Sequence, residues 1–437
     1  MLAARRVPRI ARSFATVADS AGYKVAAVDA NQPTSSVTFL VKAGSRFETK
    51  PGAAHVLKNF SFKASLHYYC LFCVLIIEQS SAFRSALGTI RQSELYGGVL
   101  SASLGREHLA LTAEFLRGDE EFFVQLLAEY VQSAKFTRHE FQEYVTPVVE
   151  AESTQASSDP VVYAVELAHA LAFRNGLGSS LFATPHSPLT VEDVSAFAKN
   201  AFTKENIAVL GTGIDQGTLS ELVQRFSGAA KSTGATSSTS ASSYFGGETR
   251  LQAHGGPETV FIGFGTTGTP SPDLAAFSAY LSPTPSIKWS QGLSPIASAI
   301  PAGTSVQSVY LPYSDASLFG LLVQGPSGAS VKEAGKVAVQ ALKAAAQGLS
   351  KEDAAKAAAK AKFAAASAIE GRDSFINVLG SKVLAGSDAS VNAVLEPFAS
   401  VTAASVSKAA SSLVSAKPTF VAVGDIASLP YADELGL

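Results

Sequence analysis

Two spacings of apolar residues run through this chain, one of about two residues and one of three to four. "LSASLGREHLALTAEFL" (100–116) alternates apolar and polar positions on either side of the turn residues Gly105 and Arg106, which predicts an antiparallel hairpin. "SVQSVYLPYSDASLFGLLVQG" (305–325) has the same shape. "KEDAAKAAAKAKFAAASAIEG" (351–371) is nearly all Ala, Lys and Glu, the residues that lose least on entering a helix, and predicts a long one. Residues 226–245, "FSGAAKSTGATSSTSASSYF", are small and polar with no periodicity; they read as a flexible linker near mid-chain.

A linker at that place invites a search for a repeat, and a weak one exists. Thr137 with Glu140 and Ser350 with Asp353 each form a capping pair opening a helix, 213 residues apart. Thr190 and Thr402 open another pair of helices, 212 apart. "NIAVLGTG" and "TFVAVGD" end apolar strands at Gly211 and Gly424, again 213 apart. Upstream, "SSVTFLVKAGSRFE" (35–48) pairs with "ETVFIGFGTTGTP" (258–270) at an offset of about 222, so the first half holds some ten extra residues in between. Strands interleaved with helices in this order predict an α+β fold in two copies, each an antiparallel-rich β-sheet with helices packed on one face. The expected boundaries are 20–225 for the N-terminal domain, 226–245 for the linker and 246–437 for the C-terminal domain.

Length agrees, since 437 residues exceed one ordinary core and suit two domains of roughly 200 residues each. The chain is 47% apolar and 16% charged, with net charge −2, which argues against nucleic-acid binding. The start, "MLAARRVPRIARSFATVADS", carries Arg5, Arg6, Arg9 and Arg12 and no acid before Asp19, the pattern of a mitochondrial transit peptide. "RSFA" places Arg12 two residues before Phe14, so cleavage is expected between Phe14 and Ala15, making 1–14 a presequence. Its loss takes the net charge from −2 to −6.

The only cysteines, Cys70 and Cys73, lie within "YYCLFCVLII" (68–77). With no second pair to complete a zinc site, they read as buried or accidental. That apolar run is too short to span a bilayer, which needs roughly 20 residues. It sits in an insertion at about 64–82, readable as a real apolar strip needing cover or as translated intron.

One motif carries chemistry. "HVLKN" (55–59) has the frame of an inverted zinc helix, H-x-x-E-H, in which two histidines bind the metal and the glutamate serves as general base. Downstream, "FQEYVTPVVEAES" places Glu143 and Glu150 seven apart, on one face of a regular helix. With "GSRFETKPGAAHVLKN" keeping Arg46, Glu48, Gly52 and His55, nearly the whole chain after the presequence resembles the M16 family of inverted-zinc metallopeptidases. That resemblance implies Glu150 as the third-ligand position and Glu143 as its support.

Two departures decide the chemistry. Lys58 stands in place of the base, and a protonated amine repels Zn²⁺ and takes no proton from water. Asn59 stands in place of the second histidine and is a poor zinc ligand. The resemblance therefore implies a catalytically degenerate member with no catalytic residue, no metal and no cofactor, His55 a hydrogen-bonded helix residue and Glu150 a candidate partner for Lys58. No haem or iron–sulfur ligand set is present either.

Among inactive mitochondrial branches, the alpha subunits of the matrix processing peptidase carry a glycine-rich loop; "SPTPSIKWSQGLSPIASAI" (282–300) has no such run. "RQSELYGGVLSASLGREHLALTAEFLRGD" (91–119) and "SIKWSQGLSPIASA" (286–299) look like the core-subunit-2 branch, found in the cytochrome bc1 complex (complex III), above all in its fungal versions. That branch implies a structural subunit, peripheral on the matrix side of the inner membrane. Its partners would be core subunit 1, cytochrome b, cytochrome c1, the Rieske protein and the small subunits. The processing-peptidase alpha subunit and an active zinc peptidase with a rearranged site remain the alternatives.

Overall fold

A computed structural model describes residues 17–20, 22–29, 31–61, 81, 84–184, 187–226, 240–284, 294–370, 372–387 and 389–437. The presequence with its Phe14–Ala15 junction, the cysteine-bearing insertion apart from Ser81, and residues 227–239 of the linker lie outside them.

The first half contributes β1 (Ala18–Ser20), β2 (Tyr23–Val28), β3 (Thr34–Val41), β4 (Val99–Leu104), β5 (Leu109–Leu116) and β6 (Ile207–Thr212). The second contributes β7 (Gly247–Gln252), β8 (Glu258–Thr267), β9 (Ser305–Pro312), β10 (Ala316–Gly325) and β11 (Thr419–Gly424). The sheet orders are β1-β2-β6-β3-β5-β4 and β7-β11-β8-β10-β9. Setting aside β1, they are the same order, with β2 equivalent to β7, β6 to β11, β3 to β8, β5 to β10 and β4 to β9. In both, one parallel pair (β2 with β6, β7 with β11) joins an otherwise antiparallel sheet. The repeat seen as caps and strand ends is thus a repeat of topology.

The helices of the first half are α1 (Ala53–Ser61), α2 (Ala86–Leu95), α3 (Glu120–Ser133), α4 (Arg138–Glu140), α5 (Thr146–Ser158), α6 (Pro160–Phe173), α7 (Val191–Ala201) and α8 (Gln216–Phe226). A π-helical segment, Phe141–Val145, joins α4 to α5. The second half has α9 (Pro272–Leu281), α10 (Gly328–Gln347), α11 (Lys351–Glu370), α12 (Arg372–Ala385), α13 (Val391–Leu395) and α14 (Ala403–Ser415). The caps read from sequence form as expected. Thr137 accepts from the Glu140 N–H, Ser350 from that of Asp353, and Thr190 and Thr402 each close a capping box.

Each sheet carries its own half's helices on one face, over cores that include Phe39, Leu57, Phe123 and Leu219 in the first half and Phe264, Phe277, Phe319 and Leu342 in the second. The other face is covered by a helix from the opposite half. α6 lays Ala164, Ala168 and Ala172 against Phe261, Leu318, Leu322, Val421 and Val423 of the second sheet. α12 sets Ile376 and Val383 on Leu40, Ala110, Ala208 and Leu210 of the first. This exchange explains why β3 and β10 are buried almost throughout, where one covered face would leave alternate residues exposed. Close approach needs small residues: a Cβ on Gly380 of α12 would lie 2.4 Å from Leu40 Cδ2.

Between the halves the two hairpin turns meet. The Arg46 guanidinium grips Asp315 with both nitrogens, each at 2.7 Å, and also holds Glu107 Oε1 at 2.7 Å. Ser314 donates its N–H and hydroxyl to the Glu107 carboxylate at 3.0 and 2.5 Å. The end of the predicted linker is docked here too, since the N–H of Ser242 donates to Asp315 at 2.9 Å and Tyr244 donates to the Lys417 carbonyl. Of the predicted linker, Phe226 ends α8, and the described stretch 240–245 is tied down at Ser242 and Tyr244, contrary to its polar, aperiodic look. Nearby, His169 on α6 donates from Nδ1 to the Val165 carbonyl and accepts from the Tyr313 hydroxyl, each at 2.7 Å.

Candidate functional site: a half-buried carboxylate held by the motif helix

The motif helix is positioned by residues flanking it. Glu48 Oε2 accepts from the backbone N–H groups of Gly52 and Ala54, at 3.1 and 3.2 Å, supplying the cap that α1 lacks at its own first turn. Burial pushes the Glu48 carboxyl up, to about 7, against these donors, which favour its ionised form. Gly52 has a φ of +88°, and a Cβ there would lie 2.5 Å from that of Ala183. Arg46 ties the same segment to the second half. The frame residues Arg46, Glu48 and Gly52 therefore each have work in the fold, independent of any metal.

α1 lies against α5. His55 Nδ1 accepts from the Ala183 N–H at 3.1 Å, which fixes the ring as the Nε2–H tautomer, and Nε2 donates to Glu152 Oε2 at 2.7 Å. The Lys58 ammonium donates to Glu152 Oε1 at 2.7 Å. The Asn59 amide donates to Glu152 Oε2 at 2.8 Å and to the His55 carbonyl at 3.2 Å. The three positions that define the motif, 55, 58 and 59, thus converge on one carboxylate. Burial acts to raise the Glu152 pKa, but the His55 hydrogen bond, the Lys58 charge and the Asn59 amide outweigh it and hold the group down at about 2. Phe182 meets the His55 ring edge-on, centroids 5.5 Å apart. A cleft of about 380 Å³ opens beside the cluster, lined by His55, Lys58, Glu152, Gln155, Leu181 and Phe182.

The structure brings His55, Lys58 and Asn59 together as the motif predicts, but the carboxylate they hold is Glu152, and Glu150 is not the partner of Lys58. Two residues along a helix turn through about 200°, so Glu150 and Glu152 leave α5 on nearly opposite sides. Glu143 is exposed and pairs with His139 at 3.1 Å, away from the cluster. The seven-residue count from Glu143 assumed a regular helix, and the π segment at Phe141–Val145 shifts the phase between the two positions. The one sequence signal for Glu152 was its membership of the same "EAES" stretch.

As a metal centre this donor set is a poor fit. The lone pair that His55 Nε2 would give a metal is occupied by a proton aimed at Glu152, a cation sits on the other carboxylate oxygen, and an amide nitrogen donates where a ligand is needed. Among the described residues no group of three or more His, Cys, Asp or Glu side chains could hold a metal ion.

Comparison with known proteins agrees with this frame. Residues 24–185 match the family described as Insulinase (Peptidase family M16). A relative from Cryptococcus neoformans var. grubii, "Cytochrome b-c1 complex subunit 2, mitochondrial", is 42% identical over all of both chains. The protein of the same name from Yarrowia lipolytica is 37% identical over 99% of each. A solved protease structure from Helicobacter pylori superposes with a TM-score of 0.77 at 16% identity, covering 94% of this chain and 99% of that one, and so shares the fold. With a full-length match at this identity and an M16-type first half, the chain belongs to the family of mitochondrial cytochrome b-c1 complex subunit 2 proteins.

Proposed function

We propose that this chain is a non-catalytic core subunit of the mitochondrial ubiquinol–cytochrome c reductase complex, built on a metallopeptidase scaffold whose metal site has been replaced by an ion-pair cluster. The observation that carries the reading is Glu152, whose two oxygens are taken by His55, Lys58 and Asn59. A half-buried carboxylate already satisfied by an ammonium and two neutral donors needs no metal, and none of its three partners is free to activate water. The subunit would work by shape and contact, meeting core subunit 1, cytochrome b, cytochrome c1, the Rieske protein and the small subunits from the matrix side. No helix among the described residues is long and apolar enough to cross a membrane, which suits a peripheral place.

A tagged full-length chain purified from mitochondria in mild detergent tests this. Cytochrome b and cytochrome c1 should accompany it, with zinc well below one ion per chain. Recovery with the processing-peptidase beta subunit instead would overturn the assignment. Stoichiometric zinc that disappears in His55→Ala would overturn the non-catalytic reading.

A further inference from the structure

Glu48, which positions the motif helix, is only partly satisfied by its surroundings. Its Oε2 accepts from the N–H groups of Gly52 and Ala54, at 3.1 and 3.2 Å, across the turn that opens α1. Its Oε1 is enclosed and has no hydrogen-bond partner among the described residues. A desolvated carboxylate oxygen without a donor costs more than the corresponding neutral acid. The backbone N–H groups offset part of that cost, yet burial still pushes the carboxyl up to about 7.

The charged groups of the surrounding elements are engaged elsewhere. In the same segment, Arg46 is bound to Glu107 and Asp315, and Lys50 reaches Asp193 of α7 at 2.7 Å. On α1, His55 and Lys58 are held by Glu152 of α5. Toward α6, Arg106 of the β4–β5 turn is paired with Glu166. Burial and the backbone N–H groups of Gly52, Ala53 and Ala54 are the influences on Glu48, and no charged group is among them. The turn that Glu48 holds also seats the motif cluster: Gly52 lies against Ala183, whose N–H donates to His55 at 3.1 Å. Thr49 and Lys50 are exposed, so opening of this turn carries the carboxylate to water.

We propose that Glu48 is a proton-linked latch on the first turn of α1. Protonated, it stays enclosed and the turn stays seated against Ala183. Ionised, it favours an open turn in which the carboxylate meets water. The sign follows from linkage, because the closed state binds the proton more tightly than the open one. The latch is therefore fully shut below about pH 4.5, loosens as pH rises toward 7 and changes little above that. A local opening of this kind leaves the rest of the fold in place. The inference concerns the motif helix alone and stands independently of the role proposed above.

Hydrogen exchange of the full-length chain tests this, read by mass spectrometry from pH 5 to pH 8 and corrected for the intrinsic exchange rate. Protection of the amides at 52–57 should fall by about tenfold from pH 5 to pH 7 and level off by pH 8. One proton sets a limit of about tenfold per pH unit, and the partial exposure of Glu48 keeps the change below it. Protection of α10, in the other half, should not follow. Glu48→Gln keeps the neutral shape and should hold the turn at its low-pH protection throughout. If that variant does not fold, the wild-type profile decides by its sign and its confinement to the turn. Protection at 52–57 that is flat or rises with pH, a fall shared by α10, or a fall that persists in Glu48→Gln would overturn the proposal.

Discussion

Replacing Glu152 by glutamine isolates the cluster that stands where a metal centre would be. Glutamine keeps the size of the side chain but presents an NH₂ to donors that need an acceptor, so at least one of His55, Lys58 and Asn59 loses its partner. The magnitude follows from the carboxyl's displacement from 4.5 to about 2. At about 1.4 kcal/mol per pKa unit that corresponds to an upper bound of roughly 3–4 kcal/mol. The Glu152 side chain retains 20% of its accessibility and Lys58 has 14%, so solvent screens the pair and the lysine can swing partly into water. A loss of about 1–2 kcal/mol remains, read as a fall of about 2–8 °C in the melting midpoint of the half that contains it. The pH dependence has a definite sign. Glu152 is more acidic folded than unfolded, so its contribution is complete above about pH 4.5 and disappears as pH falls toward 2. Melts of wild type and variant by circular dichroism should differ at pH 7 and converge below pH 3. Glu150→Gln is the control and should have less than half the effect. The reasoning fails if Glu152→Gln is neutral at pH 7, if the gap widens in acid, or if Glu150→Gln is the more damaging change.

The same geometry predicts that Lys58→Glu with Asn59→His restores a zinc site using Glu152, so metal analysis should find about one zinc per chain, lost again on adding Glu152→Gln but retained with Glu150→Gln. Burial and the Arg106 charge hold His169 down at about 3, so its contribution to stability is complete above about pH 6.5 and is lost as pH falls toward 3, at up to about 1.4 kcal/mol per unit; urea titrations should show this slope flattened in His169→Gln, and an unchanged slope would count against it. Gly380→Val drives a side chain into Leu40 and should destabilise the docking of α12 on the first sheet by about 1–3 kcal/mol, visible as a lower or split melting transition, and an unchanged transition would count against that packing.

Much of this protein was legible locally. The capping pairs at Thr137, Ser350, Thr190 and Thr402, the hairpins around Gly105 and residue 314, and the strand ends at Gly211 and Gly424 depend on neighbours in sequence, and they reveal a duplicated α+β unit. The motif frame and the loss of its base and second histidine are equally local, because residue identity alone removes those donors. Choosing Glu152 over Glu150 was not local. It depends on the phase of α5, which a five-residue π segment resets, and on which side of that helix meets α1. The exchange of α6 and α12 was hidden for a related reason: an apolar helix shows that it will be buried, not which sheet will bury it. The linker's last residues looked unstructured because their hydrogen-bond partners, Asp315 and Lys417, lie more than 70 residues away. The sequence by itself determined the elements, their repetition and the absence of the motif's glutamate and second histidine, all consequences of side-chain type and short spacing. Only the tertiary structure decided which carboxylate the motif residues hold and which helix covers which sheet, because those are contacts between segments that the chain order leaves far apart.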